Sequence, residues 1–340
     1  MGVLKITRRD TLIALGALIS ATGLAMPRAQ LRPTLILAPT NLGLRPNENG
    51  TLPGTWRAPQ TLMEAGLRER LGADQVVRVT ARPYDRASQP GTRIRNGNSI
   101  RAFSFELAEL VQKTLLDGRF PVVVGGDCSV LLGSLYGARL AGAHGLLHID
   151  GHSDFFHPGN YDTARRLGSA AGMDLALVTG RGEALLTSWP GVDGPLAHDA
   201  DVIQVGERNA LDSDYDTYYG DIVRTDITRF IIQDVLKRGV ETTAAAVVER
   251  LQARQITRAW LHLDLDVLDQ SVMSAVDSPG SPGLSFAQLG QLMRQVVGSG
   301  LFVGSDVAIY DPALDPGLRY APRIVETLAK GLALTPGARA

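Results

Sequence analysis

A single cysteine, Cys128, stands among the 340 residues. That excludes a disulfide within the chain and leaves the residue to be judged by its surroundings. Net charge is nearly absent: 34 Lys and Arg against 35 Asp and Glu leave −1. No basic stripe is visible, so a nucleic-acid partner is not expected. Internal repeats, low-complexity tracts and an inter-domain linker are missing too, which predicts one domain over residues 30–340. The hydrophobic run of Leu12 to Leu24 is short for a membrane span of ~20 residues. It follows Thr7-Arg8-Arg9-Asp10-Thr11 and precedes Ala25-Met26-Pro27-Arg28-Ala29. A charged start, a short apolar core and small residues near a cleavage point read as a secretory signal over residues 1–29. The paired arginines resemble the twin-arginine type. An exported protein, periplasmic or secreted, is therefore expected, with no stable membrane span once the signal is cleaved.

What is present is ordinary in bulk and regular in pattern. Apolar residues make up 44% and charged residues 20%, as in globular proteins. Strands are expected at 34–38, 75–79, 120–124, 146–149, 202–206, 230–232, 258–264 and 301–309. Helical spacing marks 58–71, 102–116, 130–140, 244–253, 285–297 and 323–334, with Ser285 suited to an N-cap. Residues 82–98 read as a long loop. This alternation predicts an α/β fold of three layers, α/β/α, with a mostly parallel central sheet covered on both faces.

Two strands end in acid. Leu146-Leu147-His148-Ile149-Asp150-Gly151-His152-Ser153-Asp154 opens apolar and turns polar. Side chains alternate along an extended strand, so Asp150, His152 and Asp154 are expected on one face where the strand runs out. Two carboxylates and an imidazole there point to metal ligation, at the carboxyl ends where open α/β sheets place their sites. Trp260-Leu261-His262-Leu263-Asp264-Leu265-Asp266 repeats the device with Asp264 and Asp266. Side by side, the two strands would crowd four aspartates into one pocket. Two unit charges about 4 Å apart repel by roughly 4 kcal/mol at an effective dielectric near 20, so the crowd requires cations or protonation. His148 and His262 each precede a ligand aspartate by two residues. They read as buried strand histidines satisfied by backbone, with support of the ligands as the alternative. Tyr215, Tyr218 and Tyr219 lie among Asp212, Asp214 and Asp216 and read as surface or rim of the pocket.

A third stretch, Gly125-Gly126-Asp127-Cys128-Ser129, follows the apolar run ending at Val124. Together the three motifs resemble those of the ureohydrolase family of arginases, agmatinases, formimidoylglutamases and guanidinobutyrases, over roughly Leu35 to Leu334. The family's motifs are Gly-Gly-Asp-His-Ser, Asp-Ala-His-x-Asp and Asp-x-Asp-x-x-Asp, the last followed by a Pro/Gly-rich loop. Here the last reads Asp264-Leu265-Asp266-Val267-Leu268-Asp269, ahead of Ser278-Pro279-Gly280-Ser281-Pro282-Gly283. The resemblance implies an arginase-like fold and a homo-oligomer, trimer or hexamer, acting on a small molecule. It also implies two divalent metal ions, manganese by family. Cys128, Asp150, Asp154 and Asp264 would hold one ion; Asp150, His152, Asp264 and Asp266 the other. Two ions about 4 Å apart can bridge a water, lower its pKa and present hydroxide to a planar carbon, with Asp154 orienting it. The implied activity is hydrolysis of non-peptide C–N bonds in linear guanidino, hydroxyguanidino, formimino or amide compounds. Arg208 follows a strand as the family's Gly-x-Arg does, where it is mainly structural.

Three positions depart from the family. Cys128 replaces a histidine ligand, and a thiolate moves the metal toward zinc, iron, cobalt or nickel. Ala171 replaces the histidine that shuttles a proton to the leaving amine; His157 or Asp174 could supply that proton instead. Ile309 replaces a glutamate that pairs with the guanidinium, so the substrate is neutral at its reacting end or held by another carboxylate such as Asp174. Two alternatives stand beside the hydrolase. One is a non-catalytic metal- or ligand-binding relative that acts as a subunit. The other is a one-metal deacylase on the same fold. A thiol hydrolase using Cys128 lacks an evident base.

Overall fold

Among the described residues, eight strands form one sheet in the order β2-β1-β3-β8-β7-β4-β5-β6, and every pairing is parallel. They are β1 (Pro33–Ala38), β2 (Gln75–Arg78), β3 (Phe120–Gly125), β4 (Gly145–Ile149), β5 (Val202–Val205), β6 (Thr228–Phe230), β7 (Ala259–Asp264) and β8 (Phe302–Ala308). The computed structural model describes residues 32–212 and 220–334. The signal-like segment and Tyr215, Tyr218 and Tyr219 lie outside the described residues.

Sequence explains the layering. β1, β3, β4, β5 and β7 are buried along their whole length, as continuous apolar runs must be when helices cover both faces. The edge strands β2 and β6 carry half-buried or exposed residues throughout. On one side Gly97–Leu116 packs on Val130–Leu140, which touches Asp174–Val178. On the other, Val240–Ala253, Phe286–Gly298 and Ala321–Leu332 pack in series, the last against Leu67–Leu71. Among the described residues no helix is long and apolar enough to cross a membrane.

Boundaries differ from expectation where backbone chemistry intervenes. The helix expected over 58–71 breaks after Glu64 and resumes at Leu67, because Gly66 takes φ 90°. The helix expected from 102 begins at Gly97, after Asn96 turns to φ 53° and donates to the Leu42 carbonyl at 3.0 Å. The strand expected at 230–232 ends at Phe230, since Ile232 opens the helix Ile232–Arg238. Ser285 does cap its helix, its hydroxyl and Gln288 satisfying each other's backbone amides.

The chain leaves β3, skips two strand positions to lay down β4, continues outward to β6, and returns to fill the gap with β7 and β8. The carboxyl tips of β3, β8, β7 and β4 are thus the middle of the sheet. Crevices at such reversals of strand order are where open α/β sheets bind ligands.

Candidate metal centre

β4 and β7 pair in register, His148 beside His262 and Ile149 beside Leu263. Asp150 and Asp264 therefore stand together at the tips. Strand alternation carries no further. β4 ends at Ile149, and a loop with Asp154 at φ 44° turns its side chain back. Beyond Asp264, a turn over Leu265–Val267 swings Asp266 round, its amide donating to Asp264 Oδ1 at 2.7 Å. Ligand atoms of Asp150, His152 and Asp154 lie within 4.8 Å of one another, as do those of Asp150, Asp264 and Asp266. The crowding read from the sequence is present, made by loops rather than by extended strand.

Cys128 arrives from β3. A Cβ on Gly126 would stand 1.7 Å from the Thr40 carbonyl oxygen, a space that admits glycine alone. Asp127 then ties the turn, accepting from Thr40 Oγ1 and from the Ser129 amide, each at 3.0 Å. The turn aims the thiol at Asp264, Sγ to Oδ2 2.6 Å. On the other side, Arg208 donates to the carbonyls of Asp266 and Pro282 and lies against Gly151, where a Cβ would meet its guanidinium at 2.3 Å. It clamps the loops after β4 and β7 together.

Burial, then the neighbouring carboxylates, holds Asp150, Asp154 and Asp264 well above the usual carboxylate range. Burial and then Asp264 push the Cys128 thiol up as well. Asp266 is the exception. Burial would raise it, but His152, which faces it at 2.8 Å, and Arg208 bring it below the ordinary value. His152 answers in kind: burial lowers it, yet Asp266 outweighs burial and lifts it to about 9. Asp150 Oδ2 is buried with no hydrogen-bond partner among the described residues. An oxygen-rich, proton-hungry set with an acceptor left open fits divalent cations. Cys128, Asp150, His152, Asp154, Asp264 and Asp266 are the residues that could hold them.

Beneath the ligands lies a second buried layer. The rings of His148 and His262 stack with centroids 4.8 Å apart. Asp174 reaches both, Oδ1 3.3 Å from His148 Nε2 and Oδ2 3.5 Å from His262 Nε2. Asp306 on β8 accepts from His262 Nδ1 and Trp260 Nε1. His148 Nε2 also lies 3.7 Å from Asp150 Oδ2. The two histidines are thus met by carboxylates, which corrects the expectation of backbone partners. His262 is lifted to about 9, burial being outweighed by Asp306 and then Asp174; burial keeps His148 below its usual value.

Above the ligands opens a cleft of about 890 Å³. Cys128, His152, Asp154, Asp264 and Asp266 lie at its floor beside Ala171 and Ile309. Ile309 is 2% exposed, has φ 75° and donates its amide to the Gly126 carbonyl at 2.7 Å. Neither expected proton donor lines the cleft. Asp174 is fully buried under the ligands. His157 holds Asp221 at 2.8 Å through Nε2 and accepts from the Gly159 amide through Nδ1. The structure thus brings neither expected donor to the cleft lining.

Sequence reasoning passed over Asp306 as a partner, and Asp277, Arg45, Arg95 and Arg166 on the cleft wall. An acid inside the apolar run of β8 was the available signal for Asp306. The arginines come from separate loops and carry no local pattern.

Fold and centre together define an α/β protein with arginase-like strand order and a strand-tip centre suited to divalent ions. The model of the Arginase family matches residues 38–332, and the chain belongs to that family. It is similar to arginase-1 of Mus musculus, 26% identical over 296 residues that cover 83% of this chain and 86% of that protein. The solved arginase of Bacillus caldovelox aligns at TM-score 0.77 and 25% identity, over 89% of this chain and 98% of that one. The formimidoylglutamase of Bacillus subtilis shares the fold at TM-score 0.70 and 18% identity, over 90% and 88% of the two chains.

Proposed function

We propose that this chain is a metal-dependent hydrolase of linear C–N bonds in guanidino, amidino or amide compounds. The observation that carries this is the convergence of six ligand-type side chains, five of which line one cleft, in a member of the Arginase family. Two divalent ions, when bound, supply a water acidic enough to be a nucleophile near neutral pH. Manganese is the family's metal; the Cys128 thiolate draws the preference toward zinc, iron, cobalt or nickel.

The chain's own residues do the remaining work. Arg208 and Asp127 hold the three tips in place. Asp154, which lines the cleft, would take a proton from the attacking water and return it to the departing nitrogen. That double role follows from the apolar Ala171 and from the positions of His157 and Asp174 off the cleft. A homo-oligomer and export by way of the Arg8-Arg9 segment belong to the same reading.

Ala171 and Ile309 also favour a second reading, a relative that binds metal and ligand without turnover. Elemental analysis of the protein as purified, with ammonia and urea release from an amidine and amide panel, separates the two. The hydrolase reading expects about two ions per chain, their loss in Asp264→Asn, and release from at least one compound. Bound metal with no release across the panel supports the second reading, and a chain that takes up no metal ends both.

A further inference from the structure

We infer that the substrate is an anion, with a carboxylate tail held by Arg95 and Arg166 and an uncharged amide or ureido head over the metal centre. This rests on the hydrolase reading of the centre and names the substrate class it takes.

The head end is apolar. Ile309, Ala171 and Met173 line the cleft beside the ligands. The Ile309 amide is bound to the Gly126 carbonyl at 2.7 Å, which fixes where that side chain stands. A guanidinium or amidinium brought out of water against an isoleucine keeps its desolvation penalty unless a carboxylate meets it. Asp174 is fully buried beneath the ligands and occupied by two histidines. The carboxylates of Asp154, Asp264 and Asp266 belong to the metal set. A neutral head carries no such penalty.

The walls are basic. Arg45, Arg95, Arg165 and Arg166 also line the cleft, with Asp212 and Asp277. Arg165 is paired with Asp162 at 3.2 Å. Burial holds the Asp277 carboxyl above its ordinary value, and Ser278 and then Arg45 offset only part of that. Arg95 and Arg166 form no ion pair among the described residues; the Arg95 guanidinium reaches Tyr84, while its Nε is buried without a hydrogen-bond partner. Arg166 lies over the rings of Phe156 and Tyr161, 5.2 Å and 5.0 Å from their centroids. A guanidinium stacked in this way keeps its in-plane N–H groups for a carboxylate.

The test reads binding to the metal-loaded protein by calorimetry with three linear probes. They are 4-ureidobutyrate (neutral head, anionic tail), 4-guanidinobutyrate (cationic head, anionic tail) and agmatine (cationic at both ends). The ureido acid is expected to bind at least tenfold more tightly than agmatine, with the guanidino acid between. Arg95→Gln and Arg166→Gln each weaken the ureido acid tenfold or more, leaving agmatine binding and metal content unchanged. Agmatine binding as tightly as the ureido acid overturns the inference. So does an unchanged ureido-acid affinity in both glutamine variants, which would mean that the carboxylate goes to the metal. Because binding is read, a protein that binds these acids and hydrolyses nothing sinks the hydrolase reading and leaves the substrate class standing.

Discussion

Cys128 and Asp264 place sulfur and oxygen 2.6 Å apart at the floor of the cleft, and the thiol is 2% exposed. Burial and then Asp264 disfavour the free thiolate, so a cation is what would make it ionise. The thiolate is then the soft member of a hard set. Cys128→His should raise the manganese share of metal taken up from an equimolar mixture. It should also remove the thiolate charge-transfer band of the cobalt-loaded protein; an unsubstituted cobalt form without that band would place sulfur outside the metal's reach. Ile309→Glu should tighten agmatine by about tenfold, roughly 1.4 kcal/mol for a newly paired cation, as calorimetry on the loaded variant would show. At this scale the clustering of ligand-type residues was legible because each motif keeps its chemistry within a few consecutive residues. Arg95 and Arg166 were not, because only folding brings their loops to one wall.

At the scale of elements, the register of β4, β7 and β8 decides the centre's foundations. His262 is beside His148 on one side and beside Asp306 on the other. Asp306→Asn leaves a buried imidazolium short of its main partner, a class of change that costs about 3–5 kcal/mol. Urea unfolding of the metal-free protein would read it, and a loss under 1 kcal/mol would show the pair to be dispensable. Exchanging His262 for Gln in the same chain should recover part of the loss, since no charge is then stranded. None of this could be read from β8 alone. Asp306 gains meaning only once β8 is known to lie between β3 and β7, and strand order is not written in apolar runs. Runs do reveal which strands exist, since a strand buried on both faces admits little else.

For the whole molecule, the protonated centre makes stability depend on pH in opposite senses with and without metal. His152 and His262, held at about 9, bind protons in the folded state that the unfolded chain releases near 6.5. Their contribution is complete below about pH 6.5 and is lost as pH rises through 9. The raised carboxyls of Asp150, Asp154 and Asp264 act in the same direction from about pH 4 upward. His148, held low by burial, opposes them only below about 6.5. Metal-free protein should therefore melt at lower temperature at pH 9 than at pH 6.5. Metal requires deprotonated ligands, so its added stabilisation should grow over the same interval. Calorimetric melts with and without ions that fail to diverge would deny the cluster its protons.

The ligand-type residues sit at the strand tips and in the turns directly after them, whereas the cleft walls come from more distant stretches that include Arg45, Arg95, Arg166 and Asp277. Reaction and selectivity are thereby written in separate passages of the polypeptide. Transplanting those loops between relatives should exchange what is cleaved and spare the machinery of cleavage, so the fold offers itself as a chassis for new amide and amidine specificities.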